Sequence, residues 1–406
     1  VCSLFSVVLG ASVWAADWPR FLGPDGSGIS PETGLNQDWA TKPPKMLWKV
    51  DLYNPGYAGP SVVGESVFIM DRNRDDDQEE IKAFNLKTGK LIWKYAYEDL
   101  AFDNYGYARV TPTFDNGKLY TLGMIGRLNC LNAVSGKLIW SLNLIKDLKG
   151  SYPTWYFAAS PVVDGDRLLV FSGGASNLVI LNKNTGKVIL RGGNDDPVSY
   201  ATPLIATLNG QKQYLLFSTK NVMGVLPENG KVLWKYPWVT GSDVNAANPL
   251  VIGENQVFIS SAYNHGCALL TISSDGQVTK EWQNKNIMAH FNTPILYQDF
   301  IYGMNNPGES SSVVGDLVCL DPKTGNVLWK ETGFGKGGVL MADGALFAVK
   351  KDGNLIMAKA SADSYQELGR IKLPLNSPAR SWAAPILADG KILIRDLEAL
   401  VCYDLK

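Results

Sequence analysis

The sequence predicts an all-β fold, an eight-bladed β-propeller closed by strands from both chain ends, and three observations lead to it. An eleven-residue pattern ending in tryptophan recurs along the chain, and a proline that opens an apolar strand recurs in step with it. The segment Met46–Val50, which contains Trp48, supplies the strand that the last unit lacks. The 40 Gly and 21 Pro among 406 residues are typical of many short strands joined by tight turns.

The tryptophan pattern is clearest in three segments. Ala83–Trp93 reads AFNLKTGKLIW, Cys130–Trp140 reads CLNAVSGKLIW and Cys319–Trp329 reads CLDPKTGNVLW. In each segment alternating apolar residues form a strand, a polar turn ends in glycine, and a β-branched strand follows. Looser copies complete the series, and Leu190 stands where one tryptophan is expected. The large flat indoles are predicted to dock on the next unit, and the set is Trp48, Trp93, Trp140, Trp234, Trp282 and Trp329.

The second marker is a proline that follows a small or polar residue. It occurs at Pro60, Pro112, Pro161, Pro203, Pro249, Pro294 and Pro385, and Val339 takes its place in the seventh unit. The two markers together define eight units of about 46 residues with four short strands each, which is the period of a propeller blade.

Closure of the ring follows from the chain ends. The last unit, from Trp382 to Leu405, contains only three strands, and the segment Met46–Val50 around Trp48 has the character of the missing fourth. Pairing the two removes the exposed sheet edges. A seven-bladed ring is the alternative, but it leaves Trp48 without a role.

The N-terminal region divides into two parts. The apolar run from Leu4 to Ala15 has the length of a signal-peptide core and is followed by small residues, so residues 1–16 are expected to be a cleaved export signal. A short N-terminal membrane anchor is the alternative. Residues 17–45 are expected to be an extended lead-in without strand periodicity, and residues 46–406 a single propeller. The mature chain is therefore expected to be periplasmic or secreted from a bacterium, monomeric, and without a transmembrane segment.

Composition excludes several classes of function. The formal net charge is −1, which gives no electrostatic basis for nucleic-acid binding. The two histidines, His265 and His290, are far apart in sequence and do not indicate a metal site. No phosphate-binding loop, dinucleotide motif or nucleophile elbow occurs in its required context.

The pattern Ala83-x-Asn85-x-x-Thr88-Gly89-Lys90-x-x-Trp93 resembles the repeat of the PQQ-like (quinoprotein) β-propeller family. That family contains quinoprotein alcohol dehydrogenases, which use pyrroloquinoline quinone (PQQ), and the non-enzymatic BamB-like propellers of outer-membrane-protein assembly. The enzymatic branch implies an adjacent Cys-Cys pair, a catalytic Asp, and calcium or a lanthanide held by Glu, Asn and Asp. No adjacent cysteine pair is present in this sequence. The chain therefore resembles the BamB-like branch more than the dehydrogenases.

A ligand site is expected at the channel mouth, where the segments before each proline converge. The position three residues before the proline is rich in aromatic and cationic side chains, which suit a flat or sugar-like ligand with an anionic group. Packing of these rings in the narrowing channel is the alternative. With their neighbours, the candidates are Tyr57, Arg109, Trp155, Tyr156, Tyr200, Asn245, His290, Phe291, Asn292, Lys336, Arg380 and Trp382.

One loop has the oxygen spacing of a calcium site. Asp71, Asn73, Asp75 and Asp77 alternate, but the glycine and glutamate of a calcium loop are missing and arginines intervene, so a solvated hairpin tip is expected.

The sequence contains no recognisable set of catalytic residues. It therefore favours an exported scaffold that binds a protein or cell-envelope partner and uses no cofactor. The alternatives are a PQQ- and calcium-dependent oxidoreductase and a carbohydrate- or polymer-binding propeller.

Overall fold

The computed structural model describes residues 16–53, 55–73, 75–99, 107–308 and 314–406. It consists of eight antiparallel sheets of four strands, one of them extended by a fifth. The innermost strands of neighbouring blades contact one another, as Ser61–Val63 contacts both Thr113–Asp115 and Ile386–Ala388. The eight-bladed propeller predicted from the repeats is confirmed. The expected export signal lies almost entirely outside the described residues.

The strands are numbered along the chain, and blade 1 is β3–β6. The innermost strands, from blade 1 to blade 8, are β3 (Ser61–Val63), β7 (Thr113–Asp115), β11 (Val162–Asp164), β15 (Leu204–Leu208), β19 (Leu250–Ile252), β23 (Ile295–Tyr297), β27 (Val339–Ala342) and β31 (Ile386–Ala388). The second strands are β4 (Ser66–Asn73), β8 (Lys118–Leu122), β12 (Arg167–Phe171), β16 (Gln211–Phe217), β20 (Gln256–Ser261), β24 (Phe300–Asn305), β28 (Ala345–Val349) and β32 (Lys391–Arg395).

The third strands are β5 (Gln78–Asn85), β9 (Arg127–Asn132), β13 (Leu178–Asn182), β17 (Asn221–Val225), β21 (Gly266–Ile272), β25 (Asp316–Leu320), β29 (Asn354–Lys359) and β33 (Ala399–Asp404). The outermost strands are β6 (Leu91–Glu98), β10 (Leu138–Asn143), β14 (Val188–Gly192), β18 (Val232–Pro237), β22 (Val278–Asn284), β26 (Val327–Thr332), β30 (Glu367–Lys372) and, closing blade 8, β2 (Lys45–Asp51). A 3₁₀ helix spans Pro378–Arg380.

The ring closes as the sequence predicts. Strand β2 pairs with β33 in antiparallel register, and Trp48 lies opposite Cys402. In seven blades the innermost strand begins directly after the marker proline, and in blade 7 it begins at Val339 itself. Because each proline fixes its backbone and gives up one N–H at the strand start, the markers also set the register of each blade.

Most of the tryptophans dock in one way. The indole Nε1–H donates to a backbone carbonyl of the next blade, with distances of 2.7 Å from Trp48 to Leu86, 3.0 Å from Trp93 to Ala133, 3.0 Å from Trp140 to Lys183, 2.9 Å from Trp282 to Pro322 and 2.8 Å from Trp329 to Ser361. For Trp48, Trp93, Trp140 and Trp282 the ring also lies against the glycine of that turn. A Cβ on Gly136, whose φ is +68°, would lie 2.6 Å from the Trp93 ring.

Trp234 departs from this arrangement. Its Nε1 donates to Oε1 of Gln213 in its own blade, at 2.8 Å. In blade 5, which follows, the turn is one residue tighter than the turns that receive the other indoles, and the Gly276 N–H donates to the Ser273 carbonyl. Ser273 stands at the position whose carbonyl accepts the indole N–H in those other turns. The indole therefore satisfies its donor within its own sheet.

A belt of hydrogen bonds joins blades 2 to 6 around the channel. The residue before each marker proline donates its backbone N–H to the side-chain oxygen at the same position in the next blade. The bonds are Thr111 to Ser160 (3.2 Å), Ser160 to Thr202 (3.0 Å), Thr202 to Asn248 (2.9 Å) and Asn248 to Thr293 (2.9 Å). In blades 7, 8 and 1 this position is Gly338, Ala384 and Gly59, which have no side-chain oxygen.

The lead-in lies partly inside the channel. Trp18 pairs with Val62 of β3 through two backbone hydrogen bonds of 2.8 Å, and the Phe114 N–H of β7 donates to the Pro19 carbonyl at 2.8 Å. A two-residue strand, β1 (Ile29–Ser30), then pairs in parallel with β27 of blade 7. Residues 17–30, which we call the plug, thus join the inner edges of blades 1, 2 and 7. The lead-in thus contains one short strand, β1, whose two residues are too few to show a periodicity in the sequence.

Candidate functional site

A cavity of about 510 Å³ lies at the channel mouth, above the plug. Its floor is Trp18, Phe21, Leu22 and Gly28 of the plug, so the channel is closed beneath it. We call this cavity the cup. Its size falls within the range of small-ligand pockets.

The wall of the cup repeats one position of the blade. The residue three before each marker proline, or its equivalent in blade 7, contributes to the lining in all eight blades: Tyr57, Arg109, Ala158, Tyr200, Ala246, Phe291, Lys336 and Trp382. The extended backbone before each innermost strand alternates its side chains, so this position faces the channel.

Ten of the twelve candidates from the sequence line the cup, namely Tyr57, Arg109, Trp155, Tyr200, His290, Phe291, Asn292, Lys336, Arg380 and Trp382. Tyr156 and Asn245 are not among the described lining residues. Asn245 is fully buried between blades, where its amide donates to the Ser218 carbonyl at 2.8 Å and its Oδ1 accepts from the Ser261 hydroxyl at 2.6 Å. Tyr156, with φ at +64°, turns towards Tyr152, and the ring centroids are 5.9 Å apart.

Three rings from blades 1, 8 and 6 form a continuous stack in the wall. Tyr57 and Trp382 have centroids 4.5 Å apart and planes 10° from parallel, and Trp382 and Phe291 have centroids 5.1 Å apart at 25°. The Lys336 ammonium lies 5.2 Å from the Trp382 centroid and 5.9 Å from that of Phe291. This cation is 6% exposed, so the rings and the cup, rather than bulk water, make up most of its surroundings.

A second arrangement holds Arg109 and Tyr200. The Arg109 guanidinium donates to the Trp155 carbonyl, and the Tyr200 hydroxyl accepts the Trp155 N–H at 2.8 Å. Burial raises the pKa of Tyr200 above its ordinary value, which keeps the phenol neutral. The loop before blade 3 is thereby fixed at the rim of the cup.

His290 is a second buried titratable group of the site, beside Lys336. It is 5% exposed and lies between the rings of Tyr263 and Phe291, with centroids 5.0 and 3.8 Å away. Burial, together with the charge of Lys336, lowers the pKa of His290 to about 3, so the imidazole is neutral at physiological pH. Its Nδ1 has no hydrogen-bond partner within the described part of the chain.

The charged side chains in the described lining of the cup are all positive. The described lining contains Arg109, Lys336 and Arg380 but neither Asp nor Glu, although the whole chain has a net charge of −1. Calcium takes carboxylate and carbonyl oxygens, and a quinone centre assisted by calcium needs such ligands and a carboxylate base. The described residues of the cup lack these carboxylates and therefore do not fit a calcium-assisted quinone centre. No group of three or more His, Cys, Asp or Glu side chains in the described ranges is placed to hold a metal ion.

The loop with calcium-like spacing belongs to the β4–β5 hairpin of blade 1. Asp71 is fully buried and pairs with Lys82 at 2.5 Å, and Asp75 accepts the Tyr53 hydroxyl at 2.8 Å. Asp77 pairs with Arg72 at 3.4 Å, and Asn73 Oδ1 accepts the backbone N–H of Asp75 at 3.1 Å. The four oxygen-bearing side chains are thus engaged with cations and donors in a network. The expectation of a solvated tip holds for residues 75–77 and is wrong for Asp71, whose strand continues into the core.

The four cysteines that the structure describes are not among the lining residues of the cup. Cys130, Cys267, Cys319 and Cys402 are buried thiols in the blades. Burial raises the pKa of Cys130 and Cys319 to about 11, and that of Cys267 and Cys402 to about 12. These thiols are protonated and unreactive at neutral pH.

Sequence reasoning missed the floor of the cup. The plug residues Trp18, Phe21 and Leu22 lie in a segment that has no repeat and no periodicity, so nothing in the sequence ties them to the channel. A signal was available only for Trp18, an aromatic residue directly after the expected cleavage site and outside the repeat.

Proteins with similar sequences include a BamB and a quinone alcohol dehydrogenase. Outer membrane protein assembly factor BamB from Yersinia pestis is 21% identical over 400 residues, which covers 95% of this chain and 80% of that protein. The dehydrogenase subunit of a quinone alcohol dehydrogenase from Komagataeibacter europaeus is 28% identical over 158 residues, 36% of this chain and 21% of that protein. The match thus spans only about a fifth of the length of that relative.

Solved structures share the fold. A europium-containing methanol dehydrogenase superposes with a TM-score of 0.68 at 14% identity, covering 93% of this chain and 89% of that one. BamB from Moraxella catarrhalis superposes with a TM-score of 0.60 at 14% identity, covering 89% and 98%. A family model described as outer membrane protein assembly factor BamB matches residues 77–331, which is more than half of the chain. The chain therefore belongs to the BamB family of PQQ-like β-propellers.

Proposed function

We propose that this chain is an exported, non-catalytic propeller that binds a protein or cell-envelope partner through the cup and its rim. The observation that favours it is the composition of the cup: stacked rings and three cations line a cavity that the plug closes from below, and its described lining has no carboxylate. Such a site has the groups for holding an anionic partner, but its described lining offers neither a carboxylate base nor a set of metal ligands for oxidising one.

The rim supports the same proposal. Tyr152 and Trp155, on the loop before blade 3, are 49% and 38% exposed, while Phe157 of the same loop is buried. Aromatic side chains held beside a cavity are typical anchors of binding interfaces. No helix in the described residues is long and apolar enough to cross a membrane. Export rests on the apolar run from Leu4 to Ala15 and agrees with a family described as outer membrane protein assembly factor BamB.

The test is capture by the purified mature protein from cell-envelope extract with chemical crosslinking, in parallel with PQQ and calcium titration. We expect a reproducible crosslinked partner that is lost in Trp382→Ala and kept in Ile189→Ala, which removes an exposed apolar residue on the outermost strand of blade 3. A folded Trp382→Ala protein that captures the same partner would exclude the cup. Saturable stabilisation by PQQ with reduction of a dye by simple alcohols would instead support the oxidoreductase alternative.

A further inference from the structure

A buried carboxylate lies at the base of the plug. Glu32 follows β1, is 1% exposed, and accepts the Gly390 N–H with its Oε2 at 2.6 Å. Its Oε1 is buried and has no hydrogen-bond partner among the described residues. The Lys406 ammonium lies 3.8 Å from Oε2, beyond hydrogen-bonding distance, and its side chain is 35% exposed. A buried carboxylate oxygen in this state costs stability until a donor reaches it.

Ala16 lies beside this carboxylate. Two consecutive amides in the β31–β32 turn of blade 8 hold the two residues: the Asp389 N–H donates to the Ala16 carbonyl at 3.3 Å, and the Gly390 N–H donates to Glu32. Burial raises the pKa of Glu32, and the backbone amides of Gly390 and Ala16 oppose the rise. While Ala16 is part of a longer chain, its nitrogen carries one hydrogen, whose direction the peptide plane fixes.

The sequence favours a cut on the N-terminal side of Ala16. The bond before Ala16 follows the apolar run and has Ala15 at its −1 position and Val13 at its −3 position. A cut after Ala16 would place Trp14 at −3. Signal-cleavage sites have small residues at these two positions, and the Trp14 indole is the larger departure from that pattern.

We infer that a signal peptidase hydrolyses the Ala15–Ala16 peptide bond and that the new α-ammonium of Ala16 forms an ion pair with Glu32. Water adds its oxygen to the Ala15 carbonyl, which becomes a carboxylate, and its two hydrogens complete the ammonium at Ala16. An α-amino group has an ordinary pKa of about 8, so it is mostly charged at neutral pH. Its three hydrogens rotate freely, and one can reach Oε1. The cut lies one residue before the end of the export signal expected from the sequence.

The ion pair clasps the plug. Ala16 precedes the plug and Glu32 follows it, so their contact closes residues 17–30 into a loop whose base lies on blade 8. Asp17 binds the neighbouring blade 1, where its Oδ1 accepts the Gly64 N–H at 2.8 Å. Because the plug is the floor of the cup, removal of the export signal also fixes that floor. This inference shares with the proposed function only the export of the chain and does not require partner binding.

Three chains test the ion pair. They begin at Ala15, Ala16 or Asp17 and are released from a fusion protein by a protease that leaves no additional residue. We expect the chain from Ala16 to melt about 3 °C higher than the other two, because only there does the ammonium lie at the carboxylate. Equal melting of the three chains would overturn the ion pair.

Two variants assign the effect to the carboxylate. Glu32→Gln is expected to abolish the advantage of the chain from Ala16, since no charge is left to pair. The matched control is Glu65→Gln, because the side chain of Glu65 is 61% exposed, and the advantage is expected to remain there. An advantage that survives in Glu32→Gln would overturn the assignment, even if that variant is less stable as a whole.

Two measurements address the cut and the clasp separately. Mass spectrometry of the protein purified from the cells that produce it naturally is expected to identify Ala16 as the first residue, and any other first residue would overturn the cleavage site. The Val62 amide donates to the Trp18 carbonyl of the plug and is expected to exchange about tenfold more slowly in the chain from Ala16 than in that from Ala15. Equal exchange would overturn the clasp. Failure to capture a partner, with these results obtained, would refute the proposed function and leave this inference standing.

Discussion

Trp382 of blade 8 stacks on Tyr57 before blade 1, with ring centroids 4.5 Å apart and planes 10° from parallel. The contact joins the last blade to the first at the point where the belt of hydrogen bonds is interrupted, because Gly59 and Ala384 offer no side-chain oxygen. The same pair forms part of the wall of the cup. The same two side chains therefore contribute to the junction of blades 8 and 1 and to the candidate site.

The first prediction concerns this pair. In a double-mutant cycle with Tyr57→Leu and Trp382→Leu, we expect a coupling in the free energy of unfolding of about 1 kcal/mol, the usual value for a stacked pair. Urea denaturation of the four proteins measures it. Strictly additive changes would mean that the stack contributes nothing to closure.

The second prediction concerns tryptophan docking. Trp93→Ala removes a half-buried ring and its hydrogen bond to Ala133, and we expect a loss of about 2–4 kcal/mol in the free energy of unfolding. The control is Ile92→Ala, since Ile92 is the adjacent residue of β6 and is 49% exposed; a change within about 0.5 kcal/mol is expected. Similar losses for the two variants in chemical denaturation would contradict docking as the link between blades 1 and 2.

The third prediction concerns the plug. The Val62 and Phe114 amides donate to carbonyls of Trp18 and Pro19. Both amides are expected to be protected from hydrogen exchange in the mature chain and to exchange much faster after deletion of residues 16–30. Unchanged exchange would show that the plug does not occupy the channel in solution. The deletion also removes the floor of the cup, so binding measured in the same protein is expected to fall.

The fourth prediction concerns pH. The pKa of His290 is lowered to about 3 in the folded protein, whereas an unfolded histidine titrates near 6.5. The unfolded state therefore binds the additional proton as pH falls, and the stability present above pH 6.5 is lost towards pH 3. Between pH 7 and pH 5 this amounts to about 2 kcal/mol. Denaturation curves of wild type and His290→Gln at the two pH values should differ in their pH dependence by this amount, and parallel curves would contradict it.

The fifth prediction concerns the network in blade 1. Lys82 is nearly buried and pairs with fully buried Asp71, whereas Lys94 is 46% exposed and pairs with Glu80 from the surface. Lys82→Ala leaves a buried carboxylate without its cation and should cost about 3–5 kcal/mol. Lys94→Ala should cost no more than about 1 kcal/mol. Equal losses in urea denaturation would show that burial does not control the strength of these pairs.

The sequence was most informative where the chain repeats. The marker prolines predicted the first residue of seven of the eight innermost strands, and Trp48 predicted the strand that closes the ring. Both predictions succeed because every blade repeats the same arrangement of strands. The same register placed one position of every blade in the wall of the cup. The plug has no copy elsewhere in the chain, and its position depends on long-range contacts such as Trp18 with Val62, so local patterns could not reveal it.

Two candidate residues show the limit of the register argument. Asn245 and His290 occupy the same position relative to their prolines, yet His290 lines the cup and Asn245 does not. Asn245 is bound on three sides by Ser199, Ser218 and Ser261, which come from the two blades that it joins. The choice between wall and core at this position depends on the neighbouring side chains, which the repeat does not specify.

The central claim is that the cup and its rim are the surface that binds the partner. A photo-crosslinking amino acid at Tyr152, 49% exposed on the rim loop, and the same probe at Val188, 43% exposed at the opposite end of blade 3, test it directly. After irradiation with envelope extract, we predict a discrete adduct from position 152 that an excess of unlabelled protein abolishes, and none from position 188. A specific adduct from position 188 with none from position 152 would contradict the claim and place the partner on the other face.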